Sequence, residues 1–399
     1  MPGATRFRFP RLISTLRLAM ATSGTACAVS LALPALSGVT QNPGEVFRKF
    51  DRDGNGRLSR EELPEQARPN FDRADTDGDG GITPDEDAAF RKRLNGPREP
   101  AKLADSVQVI ENVPYAPTDN PKHRLDLLLP RKPQGDRLLP VVIYIHGGAW
   151  RGGDRKGGFG ALGPLVASGD YAGVTASYRL TDEATWPAQI HDCKAVVRWV
   201  RANASKYHLD PNKIAAMGSS AGGHLVAMLG TSGDVAALEG NVGPHHGVSS
   251  EVQCVADLYG PAELSRMGLF PSSMDHEADD SPESLLIGGP LLKNPDAARA
   301  ASPVSYVSAD DPPFLIIHGT KDDVVPYDQS ARLHDALHKA GVQTTLIPVE
   351  RGGHGNFGNP EIPLRIQTFF DKHLRGQDVS VPDSPVPARQ TPAKKGLLR

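Results

Sequence analysis

The chain has 399 residues, of which 39% are hydrophobic, 23% charged and 6% aromatic, so it can bury an ordinary globular core and is not a disordered protein. A formal charge of −3 excludes a polybasic function and gives no reason to expect a nucleic-acid partner, and the length fits two or three domains. Glycine (41) and proline (35) together exceed the average share of about 12%, an excess that asks for local explanations.

Residues 1–37 contain Arg6, Arg8, Arg11 and Arg17 and no acidic residue, then the apolar stretch from Leu18 to Leu36 with a small-residue exit at Ala35-Leu36-Ser37. This asymmetry reads as a cleaved signal peptide. A retained transmembrane anchor is disfavoured because Thr22, Ser23, Gly24, Thr25 and Ser30 dilute the stretch, and Gly24 weakens a lipoprotein reading through Cys27. Cleavage takes the formal charge to −7. The mature protein is then expected to be acidic, exported to the periplasm or beyond, and without a stable membrane span. Cys193 and Cys254 either form one disulfide or pack as two buried thiols.

Residues 43–95 read as an EF-hand pair. Residues 51–62 and 75–86 both match the twelve-residue loop in which a calcium ion takes six to eight oxygens. The first loop offers Asp51, Asp53, Asn55, the Arg57 carbonyl, Ser59 through water, and bidentate Glu62. In the second, Asp75, Asp77, Asp79, the Gly81 carbonyl, Thr83 and Glu86 take the same places. Gly56 and Gly80 hold the sixth position, where the sharp turn favours glycine. Leu58 and Ile82 are expected to pair the loops, with Phe47, Phe50 and Phe71 on the entering helices. In an exported protein a constitutive structural role for calcium is the default over a switch.

Residues 96–106 are turn-rich and read as a linker. Beyond them, strand-like runs at Val107–Val113, His123–Leu129, Val141–Ile145, Ala172–Ser177, Lys213–Met217, Val252–Tyr259, Phe314–Ile317 and Gln343–Val349 alternate with helical patterns such as Pro187–Tyr207. The alternation predicts an α/β fold over 107–376: a mostly parallel sheet with helices on both faces, preceded by the small all-α pair. Sites in such sheets lie at the carboxyl ends of the strands.

The chemistry-bearing motifs fall at those ends. Gly218-Ser219-Ser220-Ala221-Gly222 matches the nucleophile elbow, a strand-to-helix turn so tight that glycines must flank Ser220. His146-Gly147-Gly148-Ala149-Trp150 follows an apolar strand and reads as an oxyanion loop, with the N–H groups of Gly148, Ala149 and Ala221 as donors. His146 reads as a brace for that loop. His354, in a glycine-rich loop before the last helix, is placed to act as the base. Asp322 is favoured over its neighbour Asp323 as the acid that orients it. His318, His224, His245, His246 and His276 read as packing or solvent residues.

Together these motifs resemble the α/β-hydrolase carboxylesterases, in the bacterial branch of acetyl xylan, feruloyl and hormone-sensitive-lipase-like esterases. The likeness extends to Asp192-Cys193-Lys194-Ala195, Arg198-Trp199, Gly260-Pro261 and residues 281–289. It implies a serine esterase acting through a Ser220–His354–Asp322 triad and an acyl-enzyme, without an organic cofactor. Short acyl or aromatic esters on polysaccharide are the implied substrates. Ala149 replaces a glycine common in the loop, and the family's amino-terminal cap is missing, which implies an open acyl pocket. Residues 269–289 are expected to cover part of it, with Asp275, Glu277, Asp279 and Asp280 as a solvated face. A prolyl-oligopeptidase-like peptidase and an inactive calcium-dependent binding protein are the rival readings. The Pro-rich tail 377–399 is expected to be disordered.

Overall fold

The computed structural model describes residues 47–48, 50–63, 68, 71–95, 101–233 and 235–389. The signal-peptide reading, residues 96–100 of the expected linker and residues 390–399 lie outside the described residues. No helix among the described residues is long and apolar enough to cross a membrane.

In the amino-terminal segment, α1 (Phe71–Ala74) and α2 (Pro84–Asn95) flank the second acidic loop. The expected pairing of the loops is present: Leu58 and Ile82 exchange backbone hydrogen bonds of 2.8 and 2.9 Å. Phe47, Leu58, Leu63, Phe71, Ile82 and Phe90 bury one another, a small core of its own.

The larger segment is a nine-stranded sheet. In chain order it contains β1 (Val107–Pro114), β2 (Arg124–Pro130), β3 (Leu139–Ile145), α3 (Phe159–Ala167), β4 (Ala172–Ala176), α4 (Ala188–Ala202), β5 (Leu209–Ser219), α5 (Ala221–Thr231) and β6 (Cys254–Leu258). There follow α6 (Pro282–Ile287), α7 (Pro295–Ala300), β7 (Phe314–Gly319), α8 (Asp328–Lys339), β8 (Thr344–Glu350), α9 (Glu361–Arg375) and the two-residue β9 (Val386–Pro387). The order across the sheet is β1-β2-β4-β3-β5-β6-β7-β8-β9. The β1–β2 and β2–β4 pairs are antiparallel and the rest parallel.

Burial on both faces explains why the central strands are continuous apolar runs. Along β3, Val141, Ile143 and Ile145 face a core shared with α4, α5 and α8, while Val142 and Tyr144 face one shared with α3 and α9. Helix α4 presents Ile190, Cys193, Val196, Val197 and Val200 at helical spacing to the first core. Because β3, β5, β6, β7 and β8 are parallel, the loops after them gather at one edge.

The structure answers the choice left open at the cysteines, and the sequence reading needs two corrections. Cys193 and Cys254 are both buried and unbridged; they lie in the two cores on opposite faces of the sheet, so no disulfide joins them. The linker ends before 106, because Leu103 packs on the α3 side of the sheet. The tail does not leave the domain at 376. Val386 pairs with Val349 on the edge strand β8, and Arg365 donates to the carbonyls of Pro382 and Ser384 at 3.1 and 2.6 Å.

Val386 is 1% exposed. Burying such a side chain contributes about 1.5–3 kcal/mol. Ending the chain at Gly376 is therefore expected to lower the Tm by about 3–10 °C relative to a chain ending at Arg389. Equal melting temperatures for the two would show that the tail adds nothing to the sheet.

Candidate active site

Strand β5 runs into α5 through Ser220, whose φ of 55° and ψ of −124° lie where side-chain-bearing residues are strained. Its N–H is tied to the Leu258 carbonyl on β6 at 2.9 Å. The flanking glycines are dictated by space. A Cβ on Gly218 would lie 2.3 Å from the Gly222 carbonyl oxygen, and one on Gly222 would lie 2.1 Å from that of Ile145.

Ser220 Oγ lies 2.9 Å from His354 Nε2, and His354 Nδ1 lies 2.7 Å from Asp322 Oδ2. The expected serine, histidine and acid thus come together from the ends of β5, β8 and β7. A carboxylate at Nδ1 fixes that nitrogen as the donor and leaves Nε2 to accept the serine proton. Asp322 Oδ1 accepts the N–H groups of Val324 and Val325 at 2.8 and 2.9 Å. Burial alone would raise the Asp322 carboxyl, but hydrogen bonds from His318 and His354 outweigh it and hold the group well below the usual carboxylate range. Asp323 instead lends its carbonyl to the hydroxyls of Ser272 and Ser273.

Sequence reasoning missed the work of several histidines. His318 is fully buried, and its Nε2 faces both Asp322 Oδ2 (3.1 Å) and the Val325 carbonyl (2.9 Å), so it carries the proton. Ser330 on α8 then donates to its Nδ1 at 2.7 Å. The sequence signal was its position at the end of β7, four residues before Asp322. His276 joins Glu283 (3.1 Å) to the Val324 carbonyl (3.0 Å), pinning the connection after β6 onto the acid's loop. Burial would lower its pKa, but the Glu283 carboxylate raises it above the ordinary value. Tyr259 stands edge-on to His354, ring centroids 4.8 Å apart. Asp275, Glu277, Asp279 and Asp280 are exposed, as a solvated face requires.

The oxyanion loop abuts the elbow: a Cβ on Gly147 would lie 2.7 Å from the Ser219 carbonyl oxygen. Gly148 takes φ 116°, and its Cβ would strike the Gly152 carbonyl at 2.3 Å; Ala149 takes φ 53° despite its methyl. His146 braces the loop from below. Its Nδ1–H donates to the Gly147 carbonyl at 2.8 Å, its ring stacks on Tyr178 at 4.4 Å, and burial pushes its pKa down to about 4. It is not placed as a base. A cleft of about 570 Å3 is lined by Thr181, Asp182, Glu183, Thr185 and Trp186, and it adjoins the loop through Thr181, whose N–H bonds the Trp150 carbonyl at 2.9 Å.

In the acidic loops, carboxylate oxygens of Asp51, Asp53 and Glu62 lie within 4.8 Å of one another, as do those of Asp75, Asp77 and Glu86. Such crowding of like charge favours a cation. Asp51 Oδ1 is buried without a protein partner, an oxygen that a metal would satisfy. Backbone and hydroxyl donors, Ser59 and Thr83 first, hold Glu62 and Glu86 down at about 2, so both stay ionised. Asn55, Ser59 and Thr83 bond through their side chains to Asp53, Glu62 and Glu86. Asp79 stands apart from its expected group: its Oδ2 pairs with the Arg57 guanidinium of the first loop, and its Oδ1 accepts the Gly81 N–H.

Comparison with known proteins agrees with this layout. The BD-FAE family model matches residues 125–337, and the EF-hand model matches residues 44–64 and 71–86. The chain is 32% identical to esterase LipQ of Mycobacterium tuberculosis over 66% of its own length and 61% of the relative's. The chain thus spans less than two thirds of that curated relative. Among solved structures it is similar to a truncated carbohydrate esterase from gut microbiota: 33% identity, TM-score 0.63, over 68% of this chain and 99% of that one. It is also similar to a bifunctional GH43-CE protein of Bacteroides eggerthii, at 34% identity and TM-score 0.62, over 68% of this chain and 36% of that one. The chain belongs to the BD-FAE family of esterase domains, with an EF-hand segment ahead of the domain.

Proposed function

We propose that the protein is a serine esterase that hydrolyses carboxylic esters through an acyl-enzyme on Ser220. The observation that carries this reading is the unbroken run of hydrogen bonds from Ser220 Oγ through His354 to Asp322. His354 Nε2 takes the hydroxyl proton as Oγ bonds to the ester carbonyl carbon, and the carbonyl oxygen becomes an anion. The N–H groups of Gly148, Ala149 and Ala221 are assigned to hold that anion. The intermediate then collapses and the alcohol leaves with the proton from His354. Water repeats the sequence: His354 takes its proton, the acid departs, and Ser220 regains its hydrogen. Asp322, ionised throughout, keeps the proton on Nδ1 and stabilises the imidazolium.

Short acyl or aromatic esters of carbohydrate are the proposed substrates. The similarity to a carbohydrate esterase supports this, and so does the cleft beside the oxyanion loop, where the Trp186 ring and the Asp182 and Glu183 carboxylates suit a sugar's faces and hydroxyls. Calcium is proposed for the two acidic loops, held by Asp51, Asp53 and Glu62 in one and Asp75, Asp77 and Glu86 in the other. It would neutralise their mutual repulsion and stabilise that small core. Export, resting on the four arginines and the apolar stretch of residues 1–37, completes the reading.

Wild type is expected to turn over aryl acetate and methyl ferulate but not an aminoacyl anilide, and S220A to lose at least about 10⁴-fold in kcat. Ester turnover at equal rates in both proteins, or in neither, would contradict the esterase reading. Calorimetric titration with calcium is expected to show two sites, one lost in E62Q and the other in E86Q, with a Tm that falls on chelation. No binding heat and no change of Tm would remove calcium from the account.

A further inference from the structure

The donors assigned to the oxyanion come from two places in the chain. Ala221 opens α5, whereas Gly148 and Ala149 belong to the loop after β3. That loop holds three successive residues at positive φ: Gly148 at 116°, Ala149 at 53° and Trp150 at 56°. Only the first is glycine. Each of the others costs about 1–2 kcal/mol, so the loop keeps this shape only if something outside it holds it.

The hold is visible at Trp150, which is 1% exposed. Its indole Nε1–H donates to His224 Nδ1 at 3.2 Å, with the two rings perpendicular and 5.1 Å apart. His224 lies on α5, four residues after the nucleophile, and its backbone N–H bonds the Ser220 carbonyl at 3.0 Å. On the ring's other side, Nε2 lies 2.7 Å from the Ala301 carbonyl, so the proton is there and Nδ1 is left to accept. Trp186 packs edge-on against the same ring at 5.7 Å. His224 is fully buried, and burial pushes its pKa down to about 4, so the ring stays neutral under working conditions.

We propose that His224 is a positioning residue for the oxyanion donors: by accepting the Trp150 indole proton it locks the loop bearing Gly148 and Ala149 to the helix that bears Ala221. The inference rests on the esterase reading above. It makes the separation of the two donor groups depend in part on one hydrogen bond between buried rings, beside the brace that His146 gives the loop and the Thr181 N–H that holds the Trp150 carbonyl at 2.9 Å. A displacement of about 1 Å in such a site can cost about 10²-fold in rate.

Four single variants, one double variant and one inhibitor test it. H224F and W150F each keep a ring and lose the bond. H224N keeps an acceptor near the place of Nδ1, and H224Q keeps a donor near the place of Nε2. H224F and W150F are expected to lower kcat for aryl acetate by about 10–100-fold with KM little changed. Both should weaken inhibition by phenylboronic acid, whose tetrahedral adduct carries the oxyanion, by a similar factor, and the double variant should fall no further. H224N should recover most of the kcat lost in H224F, and H224Q should not. If H224F fails to fold, W150F and the comparison of H224N with H224Q decide the matter. Wild-type turnover with an unchanged kcat in W150F, equal kcat in H224N and H224Q, or losses that follow the Tm would overturn the inference and leave the esterase reading standing. Absence of turnover in the wild type would instead remove both.

Discussion

Between the end of β3 and the first turn of α5 there is room for a hydrogen and not for a carbon. A Cβ on Gly222 would sit 2.1 Å from the Ile145 carbonyl and 2.7 Å from that of His146. That contact brings the amino end of a buried helix against the carboxyl end of β3, and the geometry around it follows. Ser220 is forced to φ 55°, Gly147 must lack a side chain because Ser219 stands behind it, and the oxyanion loop has to turn away through residues at positive φ. The glycine excess of the composition is in part the imprint of this crowding.

Strain of this kind persists only where the surroundings over-determine it. Here the surroundings are hydrogen-bonded rings and peptides rather than apolar packing alone. Ser220 is tied to β6 through Leu258, His354 to Asp322, and Asp322 to His318 and two amides, and His318 is tied to Ser330 on α8. The run goes from Ser220 to Ser330 on α8 without an unassigned proton. Low dielectric strengthens each bond and makes the loss of any member expensive. The same logic places the buried His276–Glu283 pair: by holding the Val324 carbonyl it fixes the peptide whose own N–H, that of Val325, holds Asp322.

Much of this was legible in the sequence because it depends on short-range rules. The elbow, the glycine-rich loop after β3 and the acidic EF-hand loops each demand glycine or carboxylate at fixed spacing, and parallel strands between helices announce themselves as apolar runs. The strand order and the roles of His318 and His224 were not legible in the same way. A histidine's partners decide whether it is a brace or a bystander, and those of His224 are 74 and 77 residues away, at Trp150 and Ala301. Only its place four residues after Ser220 hinted at a link. The tail was misread because proline-rich composition signals disorder, whereas Val386 needs just two residues to close on an exposed strand edge. The disulfide was open because spacing says nothing about which face of a sheet a cysteine occupies.

The central claim is that Ser220, poised by His354, is the group that bonds to the carbonyl carbon. The most direct measurement is intact-mass and peptide analysis after exposure to a p-nitrophenyl alkylphosphonate, which leaves a stable phosphonyl group on an activated serine. The expected result is one adduct per chain, located on the peptide containing Ser220 and formed far more slowly in H354A. Full inhibition of ester turnover with the adduct on another residue, or an adduct on Ser220 formed equally fast without His354, would contradict it.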